Sequence, residues 1–254
     1  MTDFDTQRAL QKNRIRRRGI YLLPNAFTTA ALFAGFYAIV QAMNTNFDQA
    51  AVAIFVAMVL DSLDGRVARL TRTQSAFGAE YDSLADMVSF GAAPALVIYE
   101  WTLKGLGKWG WVAAFVYVAG AALRLARFNV MLDVTDKRWF TGLPSPAAAA
   151  IVAGFVWIIN DYIIDPYEMR WWAWALTVIS GLTMVSNVKY YSFKAINLRK
   201  SVPFVAVLLF VATIALISIQ PPLVLFLGFV AYLVSGYVIS AWTLLRRGRA
   251  PDAV

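Results

Sequence analysis

Residues 51–64 read Ala51-Val-Ala-Ile-Phe-Val-Ala-Met-Val-Leu60-Asp61-Ser62-Leu63-Asp64. An unbroken apolar run ends in two acids three positions apart. Such a run suits a membrane, yet a carboxylate at membrane depth costs on the order of 3 kcal/mol and marks a functional site by default. Two more acids, Asp82 and Asp86, open the next apolar stretch, Met87-Val-Ser-Phe-Gly-Ala-Ala-Pro-Ala-Leu-Val-Ile-Tyr99. These two stretches decide the fold class, and the rest of the chain is read outward from them.

The composition agrees. Of 254 residues, 60% are apolar and 15% charged, against about 45–50% and about 25% in an ordinary soluble domain. The chain has no Cys and no His. That excludes disulfides, cysteine or histidine metal sites, a Cys nucleophile and a His base. Proton transfer falls to Asp, Glu, Lys, Tyr or water, and any metal must take oxygen ligands, which suits Mg²⁺, Mn²⁺ or Ca²⁺.

About 20 apolar residues span a bilayer. Eight segments qualify, at roughly 22–43, 47–71, 76–102, 109–128, 145–165, 171–190, 202–219 and 222–245. The expected fold is therefore an all-α, polytopic membrane bundle, one domain over residues 1–254. Pro24, Pro146, Pro203 and Pro222 fall near helix starts, where a missing N–H costs little. Pro94 lies inside the third span and should kink it unless a neighbour satisfies the freed carbonyl.

The net charge of +8 raises nucleic acid as a partner, but its distribution points elsewhere. Arg8, Lys12, Arg14, Arg16, Arg17, Arg18, Arg66, Arg69, Arg72, Arg124, Arg127, Lys137, Arg138, Lys189, Lys194, Arg199, Lys200, Arg246, Arg247 and Arg249 share one side, 20 of the 23 basic residues. Lys104, Lys108 and Arg170 fall on the other. An even span count then puts both termini on the basic, cytoplasmic side. The N-terminal segment 1–19 reads as an interfacial basic helix or as a basic tail that only sets topology. The tail 246–254 is cytoplasmic in the same reading.

Asp61 and Asp64 are i, i+3, and Asp82 and Asp86 are i, i+4, so each pair shares a helix face. The short polar turn near Thr71–Ser75 makes the two helices antiparallel neighbours. Asp64 and Asp82 then lie roughly 10 Å from the turn, and Asp61 and Asp86 roughly 15 Å. Four carboxylates at matching depth cannot all stay ionised without counter-charge. One or two divalent cations would supply it, an arrangement that recurs where pyrophosphates are held for phosphoryl transfer. A proton relay, or helix ends that are merely solvated, are the other readings. Gly65, Ala68 and Gly78 beside the acids suit either nucleotide access to the backbone or close helix packing.

The full stretch is Asp61-x2-Asp64-Gly65-x2-Ala68-Arg69-x8-Gly78-x3-Asp82-x3-Asp86. It resembles the signature of the CDP-alcohol phosphotransferase family at every defining position. The resemblance implies an integral-membrane enzyme, usually a dimer, that cleaves the pyrophosphate of a CDP-linked lipid and releases CMP. It also implies two divalent ions, Mg²⁺ or Mn²⁺ with Ca²⁺ as another occupant, held by Asp61, Asp64, Asp82 and Asp86. Asp86 would be the base, and Asp64, Gly65, Ala68, Arg69, Gly78 and Asp82 would form the CDP site. Glu80 lies outside the signature and reads as a solvated helix-end acid.

Leu23-Pro24-Asn25, Arg124-Leu-Ala-Arg127-Phe128-Asn129, Phe140-Thr-Gly142-Leu-Pro144-Ser145-Pro146 and Met184-Val-Ser186 resemble the phosphatidylserine synthase branch of that family. This implies CDP-diacylglycerol and L-serine as substrates, in a bacterial inner membrane with the site facing the cytoplasm. Asn187 stands where a basic residue often follows Met-Val-Ser, and Lys189 is close by. Serine carries a carboxylate, so its pocket should contain a cation; Arg124 and Arg127 lie three apart on one helix face, and Arg127, with Asn129 as a polar neighbour, is the expected contact to that carboxylate or to a lipid phosphate. They are equally ordinary positive-inside residues. Lys194 and Arg199 share that ambiguity. Glycerol 3-phosphate or inositol phosphate as acceptor, an intramembrane prenyltransferase, and an ion transporter are the alternatives. Compact acids argue against the second, and the lack of repeated halves against the third.

Overall fold

The computed structural model describes residues 24–71, 73, 75–131, 139–191 and 204–247. The segment 1–19, Leu23, Arg72, Lys137, Arg138, Lys194, Arg199, Lys200, Pro203, Arg249 and the tail beyond Arg247 lie outside the described residues.

The chain is mostly helical and is an integral membrane protein. Helix α1 spans Pro24–Met43 and α2 spans Phe47–Thr71. The turn between them is tight: Thr45 takes a φ of 62°, and the Asn46 N–H donates to the Gln41 carbonyl at 2.9 Å. Asp48 in the first turn of α2 and Arg69 in the last complement the helix dipole. Ser75 then caps α3, Ala76–Asp86, by accepting from the Gly78 N–H at 3.0 Å.

The third apolar stretch is two helices, not one. A π-helical turn, Met87–Ala92, joins α3 to α4, Ala93–Trp101. Pro94 follows that turn and has no N–H, which takes the usual donor from the Phe90 carbonyl four residues back. The Tyr117 hydroxyl, fully buried, donates to that carbonyl at 3.1 Å. A neighbour thus satisfies the freed group, the condition under which a proline is tolerated within a span.

A 3₁₀ turn, Leu103–Leu106, leads to α5, Lys108–Met131. Helices α6, Ser145–Asp161, and α7, Pro166–Val185, follow. Asp165 caps α7, its side chain accepting from the Tyr167 N–H at 2.9 Å. The sixth helix therefore starts before the expected residue 171 and stops at Val185 rather than 190, because Asp165-Pro166 is the true start signal. The fifth ends at Asp161 rather than 165. Helices α8, Phe204–Ile219, and α9, Pro221–Arg247, close the order.

An all-α reading misses one feature. Trp139–Thr141 (β1) and Lys189–Tyr191 (β2) pair antiparallel, with Phe140 opposite Tyr190. Three-residue strands carry no usable periodicity, so nothing in the sequence announces them.

Helix α6 is the centre of the bundle. Every residue from Ala147 to Val156 is buried, as a helix apolar on all sides should be. It packs on α2, α4, α7 and α9. Helices α5 and α7 approach closely where Gly120 meets Gly181; a Cβ on Gly120 would overlap the Gly181 carbonyl oxygen. Small residues at such a crossing let two backbones touch. Three helices, Pro24–Met43, Lys108–Val130 and Pro221–Thr243, are long and apolar enough to cross a membrane, and Ser145–Asp161 and Val207–Ile219 are shorter apolar helices. Length and hydropathy alone do not reach the expected eight spans among the described residues.

The two ends of the bundle differ. At one end Trp174 stacks edge-on with Trp109 and Trp171, Arg170 lies 3.7 Å over the Tyr167 ring, and Lys104 pairs with Glu100 at 3.0 Å. Aromatic rings with polar edges suit a membrane–water interface. The acids gather toward the other end.

Candidate active site

Asp61, Asp64 and Asp82 converge. Each offers a carboxylate oxygen, and these atoms lie within 4.8 Å of one another. The i, i+3 and i, i+4 spacings thus bring α2 and α3 face to face. Asp86 sits alongside this trio, its carboxyl in hydrogen-bond contact with that of Asp61 and facing Asp82 and Arg124. Asp64 is the least exposed of the four side chains, at 6%.

Helix α1 supplies a residue that sequence reasoning passed over. The Thr28 hydroxyl donates to Asp64 Oδ2 at 2.7 Å. The next residue, Thr29, has its Oγ1 2.9 Å from the Tyr81 hydroxyl, and one turn back the Asn25 side chain approaches Gly78. Asn25, Thr28 and Thr29 share one face by their i, i+3, i+4 spacing. Polar residues at that spacing on an otherwise apolar helix were the available signal.

The small residues divide. A Cβ on Gly65 would meet only the Arg69 guanidinium, at 3.9 Å, so no described helix packs there. Close packing therefore does not explain Gly65, whose backbone is open on that side. Arg69 is exposed and Ala68 half-buried on the same stretch. Gly78 differs, because a Cβ there would crowd the Ser75 hydroxyl at 3.1 Å; its N–H serves the α3 cap. Glu80 is exposed.

The three residues expected around an acceptor do not act alike. Arg124 donates to the Ser145 hydroxyl at 2.7 Å and is near enough to Asp86 for the two charges to attract. Asn129 donates to Ser83 Oγ at 3.1 Å, which ties α5 to α3 beside Asp82. Arg127 instead donates to the Val185 and Ser186 carbonyls at 3.2 and 3.4 Å. It serves the last carbonyls of α7, where a cation also complements the helix dipole.

Those carbonyls belong to a junction of two distant segments. The Leu143 N–H donates to the Thr183 carbonyl at 3.1 Å, and the Gly142 N–H to the Val188 carbonyl at 2.8 Å. Gly142 has a φ of 81°, and a Cβ there would overlap the Met184 carbonyl oxygen. Only glycine meets both demands. Phe140–Pro146 and Met184–Ser186 thus form one clasp. Helix α9 braces it: the Thr183 and Tyr237 hydroxyls are 2.6 Å apart, and the Tyr190 hydroxyl donates to the Leu233 carbonyl at 3.2 Å.

Hard oxygen atoms converging from two helices, one of them held by Thr28, fit a divalent cation. Comparison with known proteins agrees. The family model for CDP-alcohol phosphatidyltransferase matches residues 21–185. The chain is 37% identical over 221 residues to a Helicobacter pylori protein named CDP-diacylglycerol–serine O-phosphatidyltransferase, covering 86% of this chain and 91% of that one. A Mycobacterium tuberculosis protein of the same name is 34% identical over 228 residues, covering 85% of this chain and 78% of its own length. One from Methanocaldococcus jannaschii is 41% identical over 137 residues, covering 54% and 61%. With acids, fold and sequence in agreement, the chain belongs to the CDP-alcohol phosphatidyltransferase family and is an enzyme of that family.

Proposed function

We propose that the enzyme transfers the phosphatidyl group of CDP-diacylglycerol to the hydroxyl of L-serine, giving phosphatidylserine and CMP. The observation that carries the chemistry is the convergence of Asp61, Asp64 and Asp82 beside Asp86. The choice of serine rests on the names of relatives that match most of the chain.

Asp61, Asp64, Asp82 and Asp86 would hold two Mg²⁺ or Mn²⁺ ions, with Ca²⁺ able to occupy the same oxygens. When bound, these ions neutralise the pyrophosphate and the charge that develops as CMP leaves. Gly65, Ala68, Arg69 and Gly78 line the CDP site, where the open face at Gly65 lets the nucleotide reach the backbone. Asp86 takes the proton of the serine hydroxyl. The serine oxygen bonds to the lipid-side phosphorus as that phosphorus parts from the bridging oxygen of CMP. Arg124, near Asp86, binds the serine carboxylate, with Asn129 as its polar neighbour. Arg127 shapes this region through the end of α7.

The surrounding reading is a homodimer with eight spans, in a bacterial inner membrane, with termini and site in the cytoplasm. The 20-to-3 division of basic residues supports that orientation. An acceptor panel tests the proposal. Purified protein with CDP-diacylglycerol should release CMP with serine and little with glycerol 3-phosphate or inositol phosphate. Equal release with glycerol 3-phosphate overturns serine as acceptor, and an absence of CMP with every acceptor overturns the chemistry.

A further inference from the structure

A groove runs between α1 and α2 on the side of the acids that faces the membrane interior. Its volume is about 630 Å³, and its walls include Ala30, Phe33, Ala34, Val52, Val56 and Leu60. Leu60 immediately precedes Asp61, and Ala30 lies two residues from Thr28, the partner of Asp64. The groove therefore starts where the acid cluster stops. At its far end are Tyr37, Asp48 and Gln49. Asp48 is engaged there by Asn160, which donates to it at 2.7 Å, and the Tyr37 hydroxyl approaches Gln49 at 3.4 Å.

Three features give the groove its character. Alanines 30, 34 and 53 leave room along its floor. Phe33 and Tyr37 stack along one wall, with ring centroids 6.4 Å apart. Its length from Leu60 to Asp48 is about 18 Å at helical rise. An acyl chain in one leaflet covers about half of the ~30 Å hydrocarbon core. Groove and chain match in length and polarity, and the polar far end at Tyr37, Asp48 and Gln49 sets a limit to the apolar path.

We propose that the α1–α2 groove holds one acyl chain of the lipid donor, with the donor's pyrophosphate at the acids. This rests on the reading of the acid cluster as the donor headgroup site. A lipid bound by its head at Asp61 and Asp64 must lay its chains on apolar surface, and this groove is continuous with those residues. The groove thereby sets acyl-length preference, a property that the acids do not control.

Val52 and Val56 are lining residues at 39% and 45% exposure, so larger side chains there enter the groove without entering the core. Val52→Trp and Val56→Trp are assayed for CMP release with a long-chain and a short-chain CDP-diacylglycerol. The expected result is a rise of about fifteenfold in KM for the long-chain donor, the effect of roughly two lost methylene contacts at about fourfold each. The short-chain KM should stay within about twofold, a shift equal to less than one methylene. The same result for both donors, whether unchanged or equally impaired, overturns the proposal. A long-chain donor with a photoreactive chain terminus provides a readout independent of turnover. Labelling of residues 37–56, competed by unlabelled CDP-diacylglycerol and not by phosphatidylglycerol, supports the groove even if no CMP forms, in which case the proposed reaction alone falls. Labelling elsewhere, or equal competition by phosphatidylglycerol, overturns it.

Discussion

The acid cluster and the clasp at the end of α7 are built in opposite ways. The cluster comes from one stretch, residues 61–86, and its geometry follows from helical spacing across a short turn. The clasp joins Phe140–Pro146 to Met184–Ser186, with Arg124, Arg127 and α9 converging from elsewhere. A site made from neighbours in sequence can be read from their intervals. A site made from distant segments exists only once the bundle has closed. The cluster should accordingly fail in chemistry when altered, and the clasp should fail in folding or in acceptor affinity.

The largest effect is expected at Asp86. Asp86→Asn should lower CMP release by at least about 10²-fold, the lower range for general acid–base groups, while CDP-lipid binding is partly retained. Near-normal turnover would remove Asp86 from the base role. Gly142→Ala should come next, measured as thermal unfolding in detergent. A positive φ costs a non-glycine residue about 1–3 kcal/mol, and the overlap with the Met184 carbonyl oxygen adds to it. If Gly142→Ala instead spares stability and abolishes turnover, the division between the two regions breaks down.

Thr28→Val tests whether α1 belongs to the cluster. Losing a partner that orients a metal ligand typically costs about 10–100-fold in metal affinity. The divalent-ion concentration for half-maximal activity should rise by about tenfold, with KM for serine unchanged. An unchanged metal requirement would confine Thr28 to packing. Arg127→Gln should do least. Loss of a charged helix-end contact is worth about 0.3–1 kcal/mol of stability, and KM for serine should change by less than about fivefold on that scale. A serine KM raised tenfold or more would return Arg127 to direct acceptor binding.

What the sequence revealed follows the same division. The apolar runs, the prolines at helix starts and the charge asymmetry made a membrane helix bundle legible. The spacings Asp61–Asp64 and Asp82–Asp86 made the cluster legible, because helical geometry is local. Thr28 was not found, since its role depends on which face of α1 meets α2. Arg124 and Arg127 looked equivalent at i, i+3, yet one donates to the Ser145 hydroxyl and the other to the carbonyls of α7. That choice is made by tertiary neighbours, Ser145 for the first and the α7 terminus for the second. The β1–β2 ribbon was missed because its strands are three residues long and its partners lie 50 positions apart.

The π-helical turn at Met87–Ala92 also acts as a phase shifter. Each residue of an ordinary helix advances the side-chain direction by about 100°, and a wider turn breaks that count between the segments it joins. The acids of α3 and the apolar face of α4 are thereby aimed independently, one toward α2 and the other toward α5 and α6. Composition does not record such an offset, but chain length does. Removing a single residue between Met87 and Ala92 would rotate Asp82 and Asp86 by about 100° relative to Pro94, leaving every ligand present and the site unassembled.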